Sequence, residues 1–416
     1  MRTAARRGDL QGRLIQASRG GDPFPVFEEV RAKGPLYRGR FAYVTPSLAV
    51  VREVLSSNDF RTGFDPGPAD GVVGRAYLWA SNTGRLGPLE PPSLLVTEPP
   101  DHTRYRKLIT RVFSVRAVER LRLRTEQIAS ELLDSLEGAE VVDLVEAYCT
   151  LLPVTVISEI LGVPRRERAR ILAFGEAAAP SLDLGLSWRR FRTVEAALAE
   201  FDTWLGSHIE TLRSAPGDDL LSQLVAAREE GVGLDERELK ATAGLVLAAG
   251  FETTVNLLGN GIALLRSHPD QLAVLNQEPD LWPNAVDEIL RLDPPVLLTG
   301  RSAVRDTVLA GIPVSRGALV TTLLAAANRD PEVFENPTTF DVARGNAKEH
   351  VSFSAGRHFC LGAALARMEG EVGLRLLFER YPDLRVVAGA RRRDTRILRG
   401  YATLPVRLGP RSRQPV

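Results

Sequence analysis

Cys360 lies in the run Phe353, Ser354, Ala355, Gly356, Arg357, His358, Phe359, Cys360, Leu361, Gly362, immediately before a helical stretch over 363–380. A thiol placed there meets backbone N–H groups and the positive end of the helix dipole, which favour its anion and make it a metal ligand or a nucleophile. The alternative is a small buried hydrophobe at a turn, the common fate of a free cysteine. Cys149 sits in an apolar helical stretch with no polar neighbours in phase, and reads as core.

Three further segments carry residue types that could do chemistry. Ala249, Gly250, Phe251, Glu252, Thr253 and Thr254 fall inside a long helical pattern, where glycine, a buried acid and paired threonines are costly choices. A threonine hydroxyl there can bond back to a preceding carbonyl, and Gly250 would leave room for a planar ligand and water; a harmless kink is the other reading. Glu288 and Arg291 are three apart and share a helix face, which by itself describes a surface ion pair. His102 and Arg106, four apart, present two donors on one side of a helix, or simply a solvated face.

The chemistry available is bounded by composition. The chain has 416 residues, 44% hydrophobic and 25% charged, with 53 Lys+Arg against 52 Asp+Glu and two cysteines. A net charge of +1 removes the electrostatic case for nucleic acid or an anionic membrane as the main partner. Two cysteines cannot build a disulfide framework, a zinc ribbon or a cysteine-ligated iron–sulfur cluster. The first fourteen residues carry arginines without an apolar run after them, and no later stretch reads as eighteen apolar residues, so the expectation is a soluble, reduced, cytoplasmic protein.

The elements that must position these residues are mostly helical. Residues 36–40 and 41–44 alternate like a short hairpin, and Pro46 with Ser47 opens a helix. Apolar residues recur at three- and four-residue spacing over 117–136, 144–161, 168–177 and 189–212, predicting amphipathic helices. Asp235 and Glu238 have the spacing of a capping box, and the helix they open stops before His268 and Pro269. It would span roughly 45 Å through the middle of the domain. A strand-rich patch over 297–322 contains a hairpin signal at Ala310 and Gly311. The fold class is thus mostly α with minor antiparallel β. The stretch 62–100, with seven prolines and six glycines, reads as a lid or binding loop. The expected organisation is a tail over 1–21, one catalytic domain over 22–408 and a tail over 409–416.

Taken in order, these segments resemble the cytochrome P450 family in its soluble bacterial form, over roughly 22–408. Phe353, Gly356, His358, Cys360 and Gly362 fall on the family's cysteine-loop pattern, while Ser354 stands where a glycine is commoner. Residues 99–106 resemble its cofactor-gripping helix, Ala249 to Thr253 its oxygen-activation stretch, and Glu288 with Arg291 its buried Glu/Arg pair. Arg301, Ala303 and Asp306 resemble the strand after that pair. Asn328, Arg329, Asp330, Pro331, Phe334, Pro337 and Phe340 resemble the meander before the cysteine loop. The resemblance implies the cytochrome P450 fold, with a long central helix over a haem and a cysteine-ligand loop.

It also implies a haem b whose iron is held by the Cys360 thiolate, an arrangement that the chemistry of haem ligation associates with O–O cleavage. His102, Arg106, Arg301 and His358 are then candidate partners for its propionates, and Ala249, Phe353, Gly356 and Gly362 line it. Glu288 and Arg291 become a buried structural pair, completed by a meander residue such as Arg329 or a neighbour. The implied activity is O2-dependent monooxygenation, with Thr253 holding a water or the oxygen and Glu252 helping to deliver protons. Peroxide-using members carry arginine and proline at those two positions instead.

The substrate expectation is an apolar small molecule, hydroxylated or epoxidised, in a chamber closed by 71–96 and 180–186. Tyr77, Leu78, Trp79, Leu94, Leu95, Leu245, Leu298 and Tyr401 could line that chamber, or could be plain core. Electrons would come from a separate ferredoxin and its reductase, with Arg104, Lys107, Arg111, Arg357 and Arg367 as a weakly basic docking patch or a solvated face. A haem-binding sensor or carrier without turnover is the rival function.

Overall fold

The capping box at Asp235 forms as its spacing predicts: Glu238 N–H donates to Asp235 Oδ1 at 2.7 Å, and Asp235 N–H donates to Glu238 Oε2 at 2.9 Å. The helix it opens, Glu236–Ser267, is the longest among the described residues and runs through the main core. The computed structural model describes residues 9–17, 19, 21–62, 91–112, 115–183, 187–227 and 233–411.

In chain order, α1 (Leu10–Ala17) and α2 (Phe24–Arg31) precede the hairpin β1 (Tyr37–Arg38) and β2 (Tyr43–Thr45), then α3 (Leu48–Ser56) and β3 (Phe60–Arg61). Next come α4 (Asp101–Val112), α5 (Val115–Asp134), β4 (Val141–Asp143), and a π-helical turn (Val145–Cys149) that leads into α6 (Leu151–Ile160). Helices α7 (Arg168–Ala178), α8 (Trp188–Ser214) and α9 (Leu220–Ala226) precede the long helix, here α10 (Glu236–Ser267). Two more follow, α11 (Pro269–Gln277) and α12 (Trp282–Leu292). The strand-rich patch holds β5 (Thr299–Ala303), β6 (Thr307–Leu309), β7 (Ile312–Val314) and β8 (Leu319–Thr322), closed by the short α13 (Leu324–Ala327). The chain ends with α14 (Ala363–Arg380), β9 (Arg385–Val386), β10 (Arg391–Arg392), β11 (Tyr401–Thr403) and β12 (Pro405–Arg407).

The hairpin signal at 310–311 is met, since Ala310 (φ 49°) and Gly311 (φ 76°) turn β6 back into β7 with both central residues left-handed. The largest sheet has the order β1-β2-β8-β5-β3. Its β2–β8 pair is parallel, an exception within the minor antiparallel β that was expected. The cause is topological: β2 and β8 lie almost 280 residues apart, so no tight turn dictates their direction.

Two other expectations change. Within the stretch read as an N-terminal tail, α1 folds onto α2 and buries Leu14, while Gln11 Oε1 accepts from Phe41 N–H at 2.9 Å. Helix α10 is long and apolar enough to cross a membrane by length and composition. However, 67% of its most apolar window is buried inside the fold, where a core helix belongs.

Candidate active site

The cysteine loop is built from local hydrogen bonds and one obligatory glycine. Cys360 N–H donates to Phe353 C=O at 2.8 Å, closing the loop, and a 3-10 turn spans Gly356–His358 inside it. Gly356 has φ 65°, and a Cβ there would meet Leu55 C=O at 2.5 Å, so only glycine satisfies both backbone and space. Ser354 is also left-handed, at φ 64°, and its hydroxyl is buried without a partner. Its departure from the family's usual glycine is therefore a strained position.

Cys360 is reachable by solvent, yet protein surrounds it closely enough that burial dominates its electrostatics. A side chain both accessible and enclosed lines a hollow. Burial raises the thiol pKa, outweighing the Gly362 N–H and the charges of Arg106 and Arg367, which favour the anion. The sequence argument for a depressed pKa counted the helix terminus and left out desolvation. A coordinated metal cation reverses that balance and deprotonates a thiol outright. No atom would lie within 4 Å of a Cβ on Gly362, which leaves open space at the start of α14.

A cluster of cations stands beside this loop. His102, on α4, is 2% exposed with Nε2 unpartnered, and its ring lies 4.6 Å from that of His358. Burial lowers both imidazole pKa values, His358 to about 4 with Arg301 and His102 assisting, so both rings are neutral near pH 7. Arg301 on β5 is 5% exposed; burial pulls its pKa down to about 10, and its Nη1 donates to Gly300 C=O and Thr299 Oγ1 at 2.8 and 3.2 Å. Burial also lowers the Arg106 pKa, opposed by the Cys360 charge.

The acid in this cluster is Glu98, which sequence reasoning missed. It accepts from Thr62 N–H (2.7 Å), Thr62 Oγ1 (3.0 Å) and His358 Nε2 (3.3 Å), and pairs with Arg357 at 3.0 Å. Burial opposes its charge, but the Thr62 bonds with His358 and Arg357 prevail and hold its pKa low. One carboxylate, paired with Arg357 and near Arg301, with Arg106 close to His102, leaves a half-buried cationic excess that calls for an anion. A haem brings two carboxylates and a flat ring. The orphaned His102 Nε2, the buried Arg301, the open space at Gly362 and the enclosed thiol all fit it.

On α10, Thr253 Oγ1 donates to Ala249 C=O at 2.6 Å, the expected back-bond. Gly250 does not open a ligand space: a Cβ there would lie 3.2 Å from Ile157 Cδ1, so the glycine admits α6. The helix stays continuous through this stretch. Glu252 is buried and pairs with Arg393 Nε at 3.0 Å. Burial raises its pKa against that arginine, and Glu176 adds to the rise. Arg393 lies on the loop before β11 and carries no local sequence signal for the pairing.

Glu288 and Arg291 are both 0% exposed and joined by two bonds of 2.7 and 2.9 Å. Their third partner is Arg344, which donates to Glu288 Oε1 at 3.1 Å. Arg329, the residue named from sequence, instead donates to Leu292 C=O at 2.6 Å and stacks on Phe24. Arg291 goes on to donate to the carbonyls of Asn328, Pro337 and Thr339 at 2.9, 2.7 and 3.0 Å.

The substrate candidates scatter. Leu245 lines a narrow cavity between α7, α8 and α10, with Phe174, Phe201, Lys240 and Gly244. Leu298 packs on the small cluster around Leu297 and Leu323. Tyr401 lies against Gly259 with the Arg392 guanidinium 3.9 Å from its ring centre, a packing role on α10. Leu94 is core and Leu95 is partly exposed. Tyr77, Leu78 and Trp79 lie outside the described residues, as do residues 184–186 of the second closing loop. Cys149 is buried and inert, its pKa raised by burial.

Three members of the basic docking patch are engaged internally. Arg104 pairs with Glu238 and Arg357 with Glu98, and Arg367 donates to Asp287 at 2.7 Å. Lys107 also has a partner, and the Arg111 side chain lies outside what the structure describes. A patch counted from formal charges therefore overstates what is available to a partner.

The cytochrome P450 family profile matches residues 178–388. Over 414 residues the chain is 54% identical to a cytochrome P450 of Mycobacterium tuberculosis, covering 97% of this chain and 93% of that one. It is 37% identical over 407 residues to the 6-deoxyerythronolide B hydroxylase of Saccharopolyspora erythraea, covering 93% and 96%. Among solved structures, the epothilone D-bound cytochrome P450epoK matches with a TM-score of 0.85 at 29% identity, covering 95% of this chain and 98% of that one. Since the likeness runs along nearly the whole chain and the residues gathered at Cys360 suit a haem b, the chain belongs to the cytochrome P450 family and is an oxidoreductase of the monooxygenase kind.

Proposed function

We propose that this enzyme inserts one oxygen atom from O2 into an apolar small molecule, by hydroxylation or epoxidation, with electrons from a separate ferredoxin and reductase. The observation that carries the reading is the unpartnered His102 Nε2 among half-buried cations beside an accessible, enclosed Cys360. Bound haem supplies the iron at which O2 is reduced and cleaved.

The chain's own residues do the rest. Cys360 would hold the haem iron through its sulfur, with the Gly362 N–H and the charges of Arg106 and Arg367 favouring the anion that burial opposes. His102, Arg106, Arg301 and His358 take the propionates, replacing the water these buried groups have lost. Phe353 and Gly356 hold the loop in register. Thr253 Oγ1, anchored on Ala249, positions a water. Glu252, where burial favours the protonated form and Arg393 the charged one, serves as proton holder on the same helix. Leu245 lines a narrow cavity among α7, α8 and α10 that would serve the substrate side. Relatives acting on 6-deoxyerythronolide B or binding epothilone D support a bulky polyketide-like substrate. We place the enzyme in the cytoplasm, where an accessible thiol stays reduced.

The test is the absorption spectrum of the reduced protein under carbon monoxide, run beside Cys360→Ser, followed by turnover with a reconstituted ferredoxin system. A strongly red-shifted Soret band that the serine variant loses, with product carrying 18O from 18O2, is expected. An unshifted band in folded, haem-containing wild type would remove the thiolate assignment; a shifted band without labelled product would favour a sensor or carrier.

A further inference from the structure

Two consecutive acids on α12 divide the work of holding the haem side of the molecule. Glu288 faces the meander, as described above. Asp287 faces the cysteine loop: its Oδ1 accepts from Arg367 Nε at 2.7 Å and contacts His350 Nε2 at 3.1 Å. His350 Nδ1 accepts the Ser352 N–H at 3.1 Å, so the hydrogen of this ring is on Nε2 and points at Asp287. Burial keeps the imidazole neutral near pH 7, so Arg367 is the cation opposite Asp287.

Arg367 is itself 32% exposed in its side chain, whereas Asp287 is 3% exposed. The guanidinium carbon stands 4.6 Å from the centre of the Phe353 ring, and the His350 ring stands 5.6 Å from the same ring. Phe353 C=O receives the Cys360 N–H. One buried carboxylate thus holds a partly exposed arginine against the residue that closes the cysteine loop, within electrostatic reach of the sulfur. An arginine without that anchor is free to extend into water.

We propose that Asp287 is a positioning residue that sets the electron affinity of the bound haem by holding Arg367 against the cysteine loop. The proposal rests on the reading of Cys360 as the residue that would hold the haem iron. A cation held near the sulfur favours the state with one more electron, because reduction adds negative charge there. The two carriers of this effect pull in opposite directions. Removing the Asp287 charge alone would raise the reduction potential, whereas releasing Arg367 lowers it. Positioning therefore predicts a sign that charge counting does not.

The experiment measures the midpoint potential by spectroelectrochemistry on the haem-containing full chain, together with the red-shifted fraction of its reduced carbon monoxide complex. D287N is expected to make reduction up to about tenfold less favourable, ~59 mV lower for one electron. R367Q should lower it similarly, the double variant should go no lower than R367Q, and D287E should restore the wild-type value. A potential that rises in D287N, or stays unchanged in R367Q, overturns the proposal. If D287N folds without haem, R367Q carries the test, since it alters a side chain at the loop surface. A wild type with no red-shifted band removes the thiolate reading and this inference with it, whereas a normal wild type with unchanged variants removes this inference alone.

Discussion

Two groups of buried charges serve opposite ends. Around Glu288, each charged atom is matched inside the protein: two bonds from Arg291, one from Arg344, one from the Asp341 N–H, and main-chain carbonyls for the remaining guanidinium nitrogens. Around His102, the matching is incomplete, with an orphaned ring nitrogen, a buried Arg301 and one acid for several bases. A buried charged group that finds all its partners within the chain acts as structure. One that does not has its partner outside the chain, and the chemistry of the gap describes that partner.

The contrast breaks most visibly at Glu288. Glu288→Ala strands Arg291 and Arg344 in the interior and should cost about 3 to 5 kcal/mol, leaving little folded, haem-containing protein. Thermal unfolding and haem content check this, and a variant that folds and takes up haem normally would show that the cluster is dispensable. Arg301→Ala should behave in the opposite way. The apoprotein should unfold within about 1 kcal/mol of wild type, while haem affinity falls about ten- to hundredfold through loss of a charge-assisted bond. Haem transfer to a scavenging competitor measures the affinity, and equal losses of stability and affinity would erase the distinction between the clusters.

A pH titration sharpens the same comparison. His102 and His358 have pKa values lowered by burial, to about 4 for His358, against the ordinary 6.5. The unfolded chain therefore binds more protons than the native one between about 6.5 and 4. Their contribution is present above pH 6.5 and is lost as pH falls through that window. Apoprotein denaturation midpoints should decline there, and His358→Gln should flatten the decline; a slope unchanged by the substitution would assign it to other groups. The smallest effect is expected at Ser354. Ser354→Gly relieves a left-handed backbone and an orphaned hydroxyl, and should stabilise the protein by about 1 kcal/mol, read as a higher Tm.

Legibility followed range along the chain. The capping box at Asp235, the turn at Ala310 and Gly311 and the Thr253 back-bond all depend on neighbours within a few residues, and each was readable. Long-range contacts were not. Ile157 fills the space beside Gly250, Arg393 reaches Glu252 from 141 positions away, and Arg344 takes the place expected for Arg329. Arg104, Arg357 and Arg367 read as surface charge because their acids, Glu238, Glu98 and Asp287, come from distant segments.

By itself the sequence determined the family, the cysteine proposed to anchor the chemistry and the helices around it, because residue type and short spacing specify caps, turns and amphipathic faces. Only the tertiary structure decided which charges are spent inside the protein and which remain for a cofactor. That depends on desolvation and on partners brought together across the chain, and neither has a local signature.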